Sequence, residues 1–493
     1  MAESDSQPYI MSSATVISTS LVLVLVYLVK TFAATRSKVS IAKVVGNATD
    51  REFYNTVLNA FKKDPNMAYT LPETPARVIL PPRYIDEVKS LPESKISFVA
   101  SVTDKFAGEY TSLGPIQQPL INSVRVDLTR SISATLEGLQ NEAEFAFPEV
   151  LGPCEEWTSV HMYSKVLRII AFLSGRIFVG LPLCRDEEWV KTTIEYTGDA
   201  FAAVEPIRKH PKFLRPLVAP FLPSLWKIAN HKAISERLLG PILKERLASM
   251  QSPDFDQPHD TISYMLKNSG EKASDFKYQS HTQLNLSLAA IHTTSMALTH
   301  IIYDLCAHPE YIEDLREELA SVLAADGNKL VKTSMTKLRK MDSFMKESQR
   351  LSPPSTLAMM RMTTADLKLS EGLTLPKGTS VAVSANGPNM TSPFIKDPEE
   401  FKGFRYAELR DLPGNENRFQ FVTTGMDSLN FGHGSHACPG RFFASNEIKV
   451  AIAFLLQNYD LKFKEGGRPP NIYTGTDVLP NTFAEVMFRK RSV

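Results

Sequence analysis

A chain of 493 residues with 43% hydrophobic content is long enough for two or three domains and for a sizeable buried core. Its 55 basic residues are balanced by 54 acidic ones, which excludes the charge excess that a nucleic-acid partner requires. Four widely spaced cysteines, Cys154, Cys184, Cys306 and Cys438, show no metal-clip pattern and argue against a disulfide scaffold, in favour of a reducing compartment.

Residues 9–29 are mostly apolar and end in Leu21-Val22-Leu23-Val24-Leu25-Val26-Tyr27-Leu28-Val29, enough for a bilayer span of about 20 residues. A cleaved signal peptide fits less well, because Glu3 and Asp5 stand where a basic region belongs and no clear small-residue cleavage site follows. Lys30, Arg36, Lys38 and Lys43 come directly after the run, so the positive-inside rule places the body of the chain in the cytosol. Residues 1–35 are expected to form an N-terminal membrane anchor with a single transmembrane helix in the endoplasmic reticulum, and residues 36–493 the folded body. The sequons at Asn47, Asn285 and Asn389 should then stay unmodified.

Along the body, residues 76–80 read as a short strand between Pro75 and Pro81-Pro82, running into a helix over residues 84–91. Residues 97–118 mix glycines and aromatics and read as a loop over a pocket. A helical pattern over residues 121–139 carries Arg125, a partner for a buried anion or a solvated arginine on a helix face. Helices dominate residues 160–250. Within them, residues 206–226 interleave Phe213, Leu214, Leu217, Val218, Phe221, Leu222 and Trp226 with Lys209, Lys212, Arg215 and prolines, as a membrane-surface segment or an interhelical loop does.

A long helical run over residues 280–305 contains Leu288-Ala289-Ala290-Ile291-His292-Thr293-Thr294. Ala289 and Ala290 are small enough to let a flat ligand approach, and Leu286 adds apolar lining. Thr293 taken alone bonds back to an earlier carbonyl. His292 and His300 are eight residues apart with no third ligand in view, which does not make a metal site. Glu347-Ser348-Gln349-Arg350 places opposite charges at i and i+3 on one helix face. Arg361 and Arg405 follow, and Arg361 alone is readable as an exposed strand arginine.

The second half ends on Phe431-Gly432-His433-Gly434-Ser435-His436-Ala437-Cys438-Pro439-Gly440-Arg441-Phe442-Phe443, ahead of an apolar helical run over residues 444–456. Cys438 is thus a thiol at a helix start, where backbone N–H groups and the helix dipole favour thiolate, the metal-binding form. Gly432, Gly434 and Gly440 permit positive φ and a close approach of a flat ligand, and Phe431 can shield the sulfur. An isolated cysteine is otherwise an ordinary small hydrophobe.

The pattern Phe-x-x-Gly-x-x-x-Cys-x-Gly, together with Glu347-x-x-Arg350, resembles the cytochrome P450 family, and the resemblance covers essentially everything after the anchor. It implies a mainly α fold with a minor β part, the cytochrome P450 fold, and heme b with Cys438 as the axial ligand to iron. By the same resemblance Arg361, His436 and Arg125 hold heme propionates, with Ile121 where the family has tryptophan. Phe431 and Gly432 belong to the heme-binding loop. Thr293 hydrogen-bonds dioxygen and assists proton delivery, with His292 in the place of an acidic residue. Glu347, Arg350 and Arg405 brace the loop, and residues 206–226 form a lid and substrate entrance.

The implied activity is monooxygenation of a lipophilic small molecule by O2, with electrons from a separate NADPH-cytochrome P450 reductase, since no flavin-binding segment is present. The wording of the two motifs looks like filamentous-fungal enzymes of terpenoid and related secondary metabolism. Two other readings stand beside it. One is a heme-thiolate isomerase or dehydratase working without O2, and the other a non-catalytic heme-binding membrane protein.

Overall fold

The computed structural model describes Tyr27 and residues 42–114 and 117–492. The expected membrane segment at residues 9–29 therefore lies outside the described residues except for Tyr27. Among the described residues no helix is long and apolar enough to cross a membrane.

The molecule is built around the central helix Phe276–Ala307. Its start is set by Asp275, whose carboxylate accepts the backbone N–H of Tyr278 at 3.0 Å and so satisfies a helix-end donor. Its 32 residues span about 48 Å. Apolar or small polar residues lie on every side of it, the pattern of a helix buried all round. The helices Met162–Phe178, Glu187–Arg208 and Pro223–Ser249 pack along it, and Arg339–Leu351 and Arg441–Asn458 meet its other side. Ala289 and Thr293 interrupt this burial by facing an internal cavity.

The β part is minor. A six-stranded sheet runs in the order Lys43–Val44, Tyr69–Leu71, Arg77–Leu80, Ser380–Ser384, Leu357–Thr363, Ile96–Ser97. Arg77–Leu80 pairs in parallel with Ser380–Ser384, and both strands are buried throughout, which explains their lack of polar alternation. Tyr459–Lys462, Glu485–Lys490 and Thr158–His161 form a smaller antiparallel sheet. The strand expected at residues 76–80 is Arg77–Leu80, followed by the 3-10 turn Pro82–Tyr84 and the helix Ile85–Val88.

One local expectation changes and a second takes definite form. Residues 97–118 are largely helical, as Phe98–Phe106 and Gly108–Thr111; the Ser97 hydroxyl caps the first helix by accepting from Ala100 N–H at 2.9 Å. Residues 206–226 contain the end of the helix Glu187–Arg208, the short helix Arg215–Val218 and the 3-10 turn Ala219–Phe221. Phe213, Leu217, Phe221 and Trp226 are exposed there, and the ring of Tyr27 meets that of Phe213 edge-on at 5.7 Å.

Candidate active site

The loop ahead of Cys438 is fixed by its own backbone. Cys438 N–H donates to the Phe431 carbonyl at 2.8 Å, and Gly432 N–H to the Leu429 carbonyl at 2.8 Å. Gly432 and Gly434 have φ of +67° and +77°, a region L side chains rarely adopt. At Gly434 a Cβ would stand 2.6 Å from Lys89 Cβ and 2.9 Å from the Lys89 carbonyl oxygen, so the loop lies directly on the backbone beyond the helix Ile85–Val88. Gly440 departs from expectation. Its φ is −91°, and a Cβ there would make only ordinary contact with Val124, because Gly440 serves as the cap residue of the helix Arg441–Asn458. The thiol departs too. Burial pushes its pKa up, outweighing the backbone N–H groups of Gly440 and Arg441 and the Arg441 charge, which pull it down. A bound metal ion deprotonates a coordinating thiol in any case.

Two cavities of about 360 and 230 Å³ open beside this sulfur. Both are walled by Ala289, Thr293, Thr294, Cys438 and Ala444. The sulfur and the small-residue face of the central helix thus bound one space. Phe431 lines the smaller cavity, and its ring meets Phe421 edge-on at 5.3 Å. The larger is mainly apolar, with Leu286, Leu288 and Ala290 in its wall.

Thr293 sits in this space with its hydroxyl donating to the Ala289 carbonyl at 2.8 Å. Its neighbour His292 points elsewhere: Nε2 donates to the Ile194 carbonyl, 3.0 Å away on the helix Glu187–Arg208. Burial lowers the His292 pKa, so the ring is neutral near pH 7. The two residues that the helix motif sets side by side serve different neighbours.

Arg361 is 3% exposed on the strand Leu357–Thr363. An extra residue is inserted in this strand between Ala358 and Arg361, with Met359 at φ +52°, and such a bulge re-aims the following side chain. Nη1 donates to the Met360 carbonyl at 2.8 Å, and no carboxylate pairs with the guanidinium among the described residues. Burial pushes its pKa down to about 10. Phe98 lies under the guanidinium, 5.4 Å from the ring centre, and its ring is 5.4 Å from that of His436. His436 Nε2 stands 3.1 Å from Glu93 Oε1; burial, then the Arg361 charge, lower its pKa. Arg361 and His436 are therefore brought together. Arg125 is not: it is exposed, without hydrogen-bond or ion-pair partner among the described residues, although Ile121 and Val124 of the same stretch line the larger cavity.

The Glu347-x-x-Arg350 pair is a closed buried network. Arg350 donates to both Glu347 oxygens at 2.8 Å, and Arg405 Nε adds a third bond at 3.1 Å. The guanidinium protons left over go to the carbonyls of Asn389, Pro398 and Glu400. This fork-on-fork pairing is the strong kind. Sequence reading misses Glu447, which is fully buried on the helix behind the cysteine, accepts from Ser174 Oγ at 2.6 Å, and has its pKa raised to about 8 by burial. Its signal in the sequence is that it is the one acidic residue of the helix Arg441–Asn458. The sequon residue Asn389 is likewise buried, donating to Asn430 at 3.1 Å.

The residues present fit a heme. A sulfur faces an apolar space of the right kind, Ala289 leaves room along it, and the unpaired buried charge of Arg361 calls for an anion such as a propionate. Comparison with known proteins agrees. The family model described as Cytochrome P450 matches residues 127–484. The chain is 41% identical over 485 residues to cytochrome P450 monooxygenase BOA4 of Botryotinia fuckeliana (strain B05.10), covering 97% of each protein. It is 44% identical over 461 residues to BOA7 of the same fungus, covering 87% of this chain and 85% of that one. With cytochrome P450 monooxygenase ascG of Acremonium egyptiacum it shares 40% over 485 residues, 91% of each. With a cysteine loop, a braced glutamate and an extended likeness all pointing one way, the chain belongs to the cytochrome P450 family of monooxygenases.

Proposed function

We propose that this monooxygenase works at the endoplasmic-reticulum membrane, takes electrons from NADPH-cytochrome P450 reductase, and oxidises a lipophilic secondary metabolite of the terpenoid or a related class. The observation that carries the reading is that the Cys438 sulfur, Ala289 and Thr293 together line both cavities. Heme b, when bound, supplies the chemistry: activation of O2 and insertion of one oxygen atom into a C–H bond.

The chain's own residues do the rest. Cys438 would supply the sulfur that holds the iron, and Gly432 and Gly434 keep its loop in the turn that presents it. Arg361 would neutralise propionate charge in a buried site where an unpaired anion is costly, with His436 beside it. Apolar side chains exclude water from the reacting region. The Thr293 hydroxyl, by turning from the Ala289 carbonyl, can donate a proton into the cavity. His292 keeps the helix Glu187–Arg208 against the central helix and, being neutral, adds no charge to the pocket.

Membrane residence is supported by the exposed Phe213, Leu217, Phe221 and Trp226 among Lys209, Lys212 and Arg215, with Tyr27 of the apolar N-terminal run seated on Phe213. The relatives' fungal sources support the metabolite class, by analogy.

The deciding experiment is the carbon monoxide difference spectrum of the reduced protein, with Cys438→Ser alongside. A thiolate-type Soret band that vanishes in the variant is expected. A folded, heme-loaded wild type without that band overturns the ligand assignment. One observation favours a second reading, isomerisation or dehydration without O2: Thr293 donates to its own helix and His292 faces away. Strict dependence of product on O2 and NADPH eliminates it.

A further inference from the structure

At the end of the larger cavity remote from Cys438, four elements meet through polar side chains. Lys232 of the helix Pro223–Ser249 donates to Ser112 Oγ, just beyond the helix Gly108–Thr111. Burial raises the pKa of the Tyr196 phenol, on the helix Glu187–Arg208, and the neighbouring Ser112 hydroxyl opposes that rise. The phenol donates to Asn285 Oδ1 of the central helix at 3.0 Å. A lysine ammonium can only donate, so Ser112 Oγ accepts from Lys232 and keeps its own proton to give. At Asn285 the carbonyl oxygen is taken, and the amide turns its N–H donors to the cavity that the residue lines.

The other polar side chains on that wall are spent or wet. Thr282 donates to the Tyr278 carbonyl at 2.8 Å and Thr293 to that of Ala289 at 2.8 Å. Gln117 is exposed, where water competes for its amide. Asn285, Ala289 and Thr293 form one stripe at four-residue spacing along the cavity. Eight residues of helix separate Asn285 from Thr293, about 12 Å along the axis.

We infer that the substrate is an elongated apolar molecule carrying a hydrogen-bond-accepting oxygen near one end, held by Asn285 Nδ2 about 12 Å along the helix from Thr293. This rests on the monooxygenase reading, with the larger cavity as the substrate pocket. An amide that offers only donors favours a carbonyl oxygen over a hydrocarbon, and it fixes which end of the molecule lies far from the cysteine. The buried Tyr196 is a positioning residue: its hydroxyl holds the amide oxygen.

The test uses the heme-loaded protein and two matched pairs of probes, n-dodecane with dodecan-2-one and decalin with 2-decalone. Affinity is read both by the spin-state titration and by calorimetry. In wild type at least one ketone should bind about five- to tenfold more tightly than its hydrocarbon, the worth of one net hydrogen bond. Asn285→Leu should bring that ratio close to one, and Tyr196→Phe should reduce it. Equal affinities within both pairs in wild type, or a ratio unmoved by Asn285→Leu, overturn the inference. So does a protein that shows the thiolate carbon monoxide band and binds none of the four probes. Absence of that band in wild type defeats instead the monooxygenase reading. Each variant must keep the band, which shows that its heme site has folded.

Discussion

The two walls of the heme space are built on different principles. On the cysteine side almost every group is fixed more than once: Glu347 accepts from two arginines, Arg350 fills its remaining donors with three carbonyls, and Gly434 lies against the Lys89 backbone where no side chain fits. On the central-helix side single bonds suffice: Thr293 to its own helix, His292 to Ile194, Tyr196 to Asn285. A wall that must hold a metal ligand needs rigidity. A wall that must admit varied molecules and pass protons needs bonds that can be exchanged one at a time.

That contrast predicts where substitutions hurt. Removing one partner from the first wall leaves a buried charge unpaired, so Arg350→Ala should cost about 3–5 kcal/mol in urea denaturation and lower heme content. An unchanged midpoint breaks the comparison at its strongest point. Gly434→Ala should cost about 1–3 kcal/mol from the strained backbone, before the contact with Lys89 is counted, and thermal unfolding of the heme-loaded protein reads it.

Buried titrating groups sharpen the comparison through pH. Burial, then the charge of Arg468, pushes the His300 pKa down to about 3. The unfolded state then binds the extra proton, so stability is lost as pH falls below about 6.5, by about 1.4 kcal/mol per unit. Glu447 acts with the opposite sign: its folded pKa of about 8 keeps the proton on, so its contribution is lost as pH rises from about 4.5 through 8. Denaturation midpoints across pH should show a dome, and Glu447→Gln, which mimics the protonated acid, should flatten its alkaline limb.

The second wall should respond in chemistry instead of stability. Thr293→Ala should move the unfolding free energy by about 1 kcal/mol or less while product formed per NADPH consumed falls severalfold. His292→Gln, which can still donate to Ile194, should have the smallest effect of all. If His292→Gln lowers product yield as far as Thr293→Ala does, His292 carries protons and the division of labour drawn from its geometry is wrong.

What the sequence shows and hides follows the same line. The cysteine loop and the Glu347-x-x-Arg350 helix are legible because turn chemistry and an i, i+3 pair are local. The helix motif is legible as a string, but not the separation of His292 from Thr293, which depends on where Ile194 of another helix comes to rest. Arg125 and Arg361 read alike in the chain. Packing leaves one in solvent and buries the other. Asn285 stands out only as a sequon, and its role emerges when Tyr196, Ser112 and Lys232 gather beside it. The Cys438 pKa fails for a related reason: a helix start is visible in sequence, the depth at which it is buried is not.

The irregularity at Met359 has a consequence for how this chain tolerates change in length. Along a strand, side chains alternate between faces, so one residue more or less exchanges the faces for everything that follows. The extra residue before Arg361 works as a parity shift: with it, the arginine and the ladder beyond share a register with Ser380–Ser384 that plain alternation would not give. Loss of Met359 would leave Arg361 two residues after Ala358, in step with Val383 and Val381, so the ladder would close without the bulge and the guanidinium would lose the re-aiming that the bulge gives it. At this one place the arithmetic of the chain, odd or even, carries as much information as the identity of the residue.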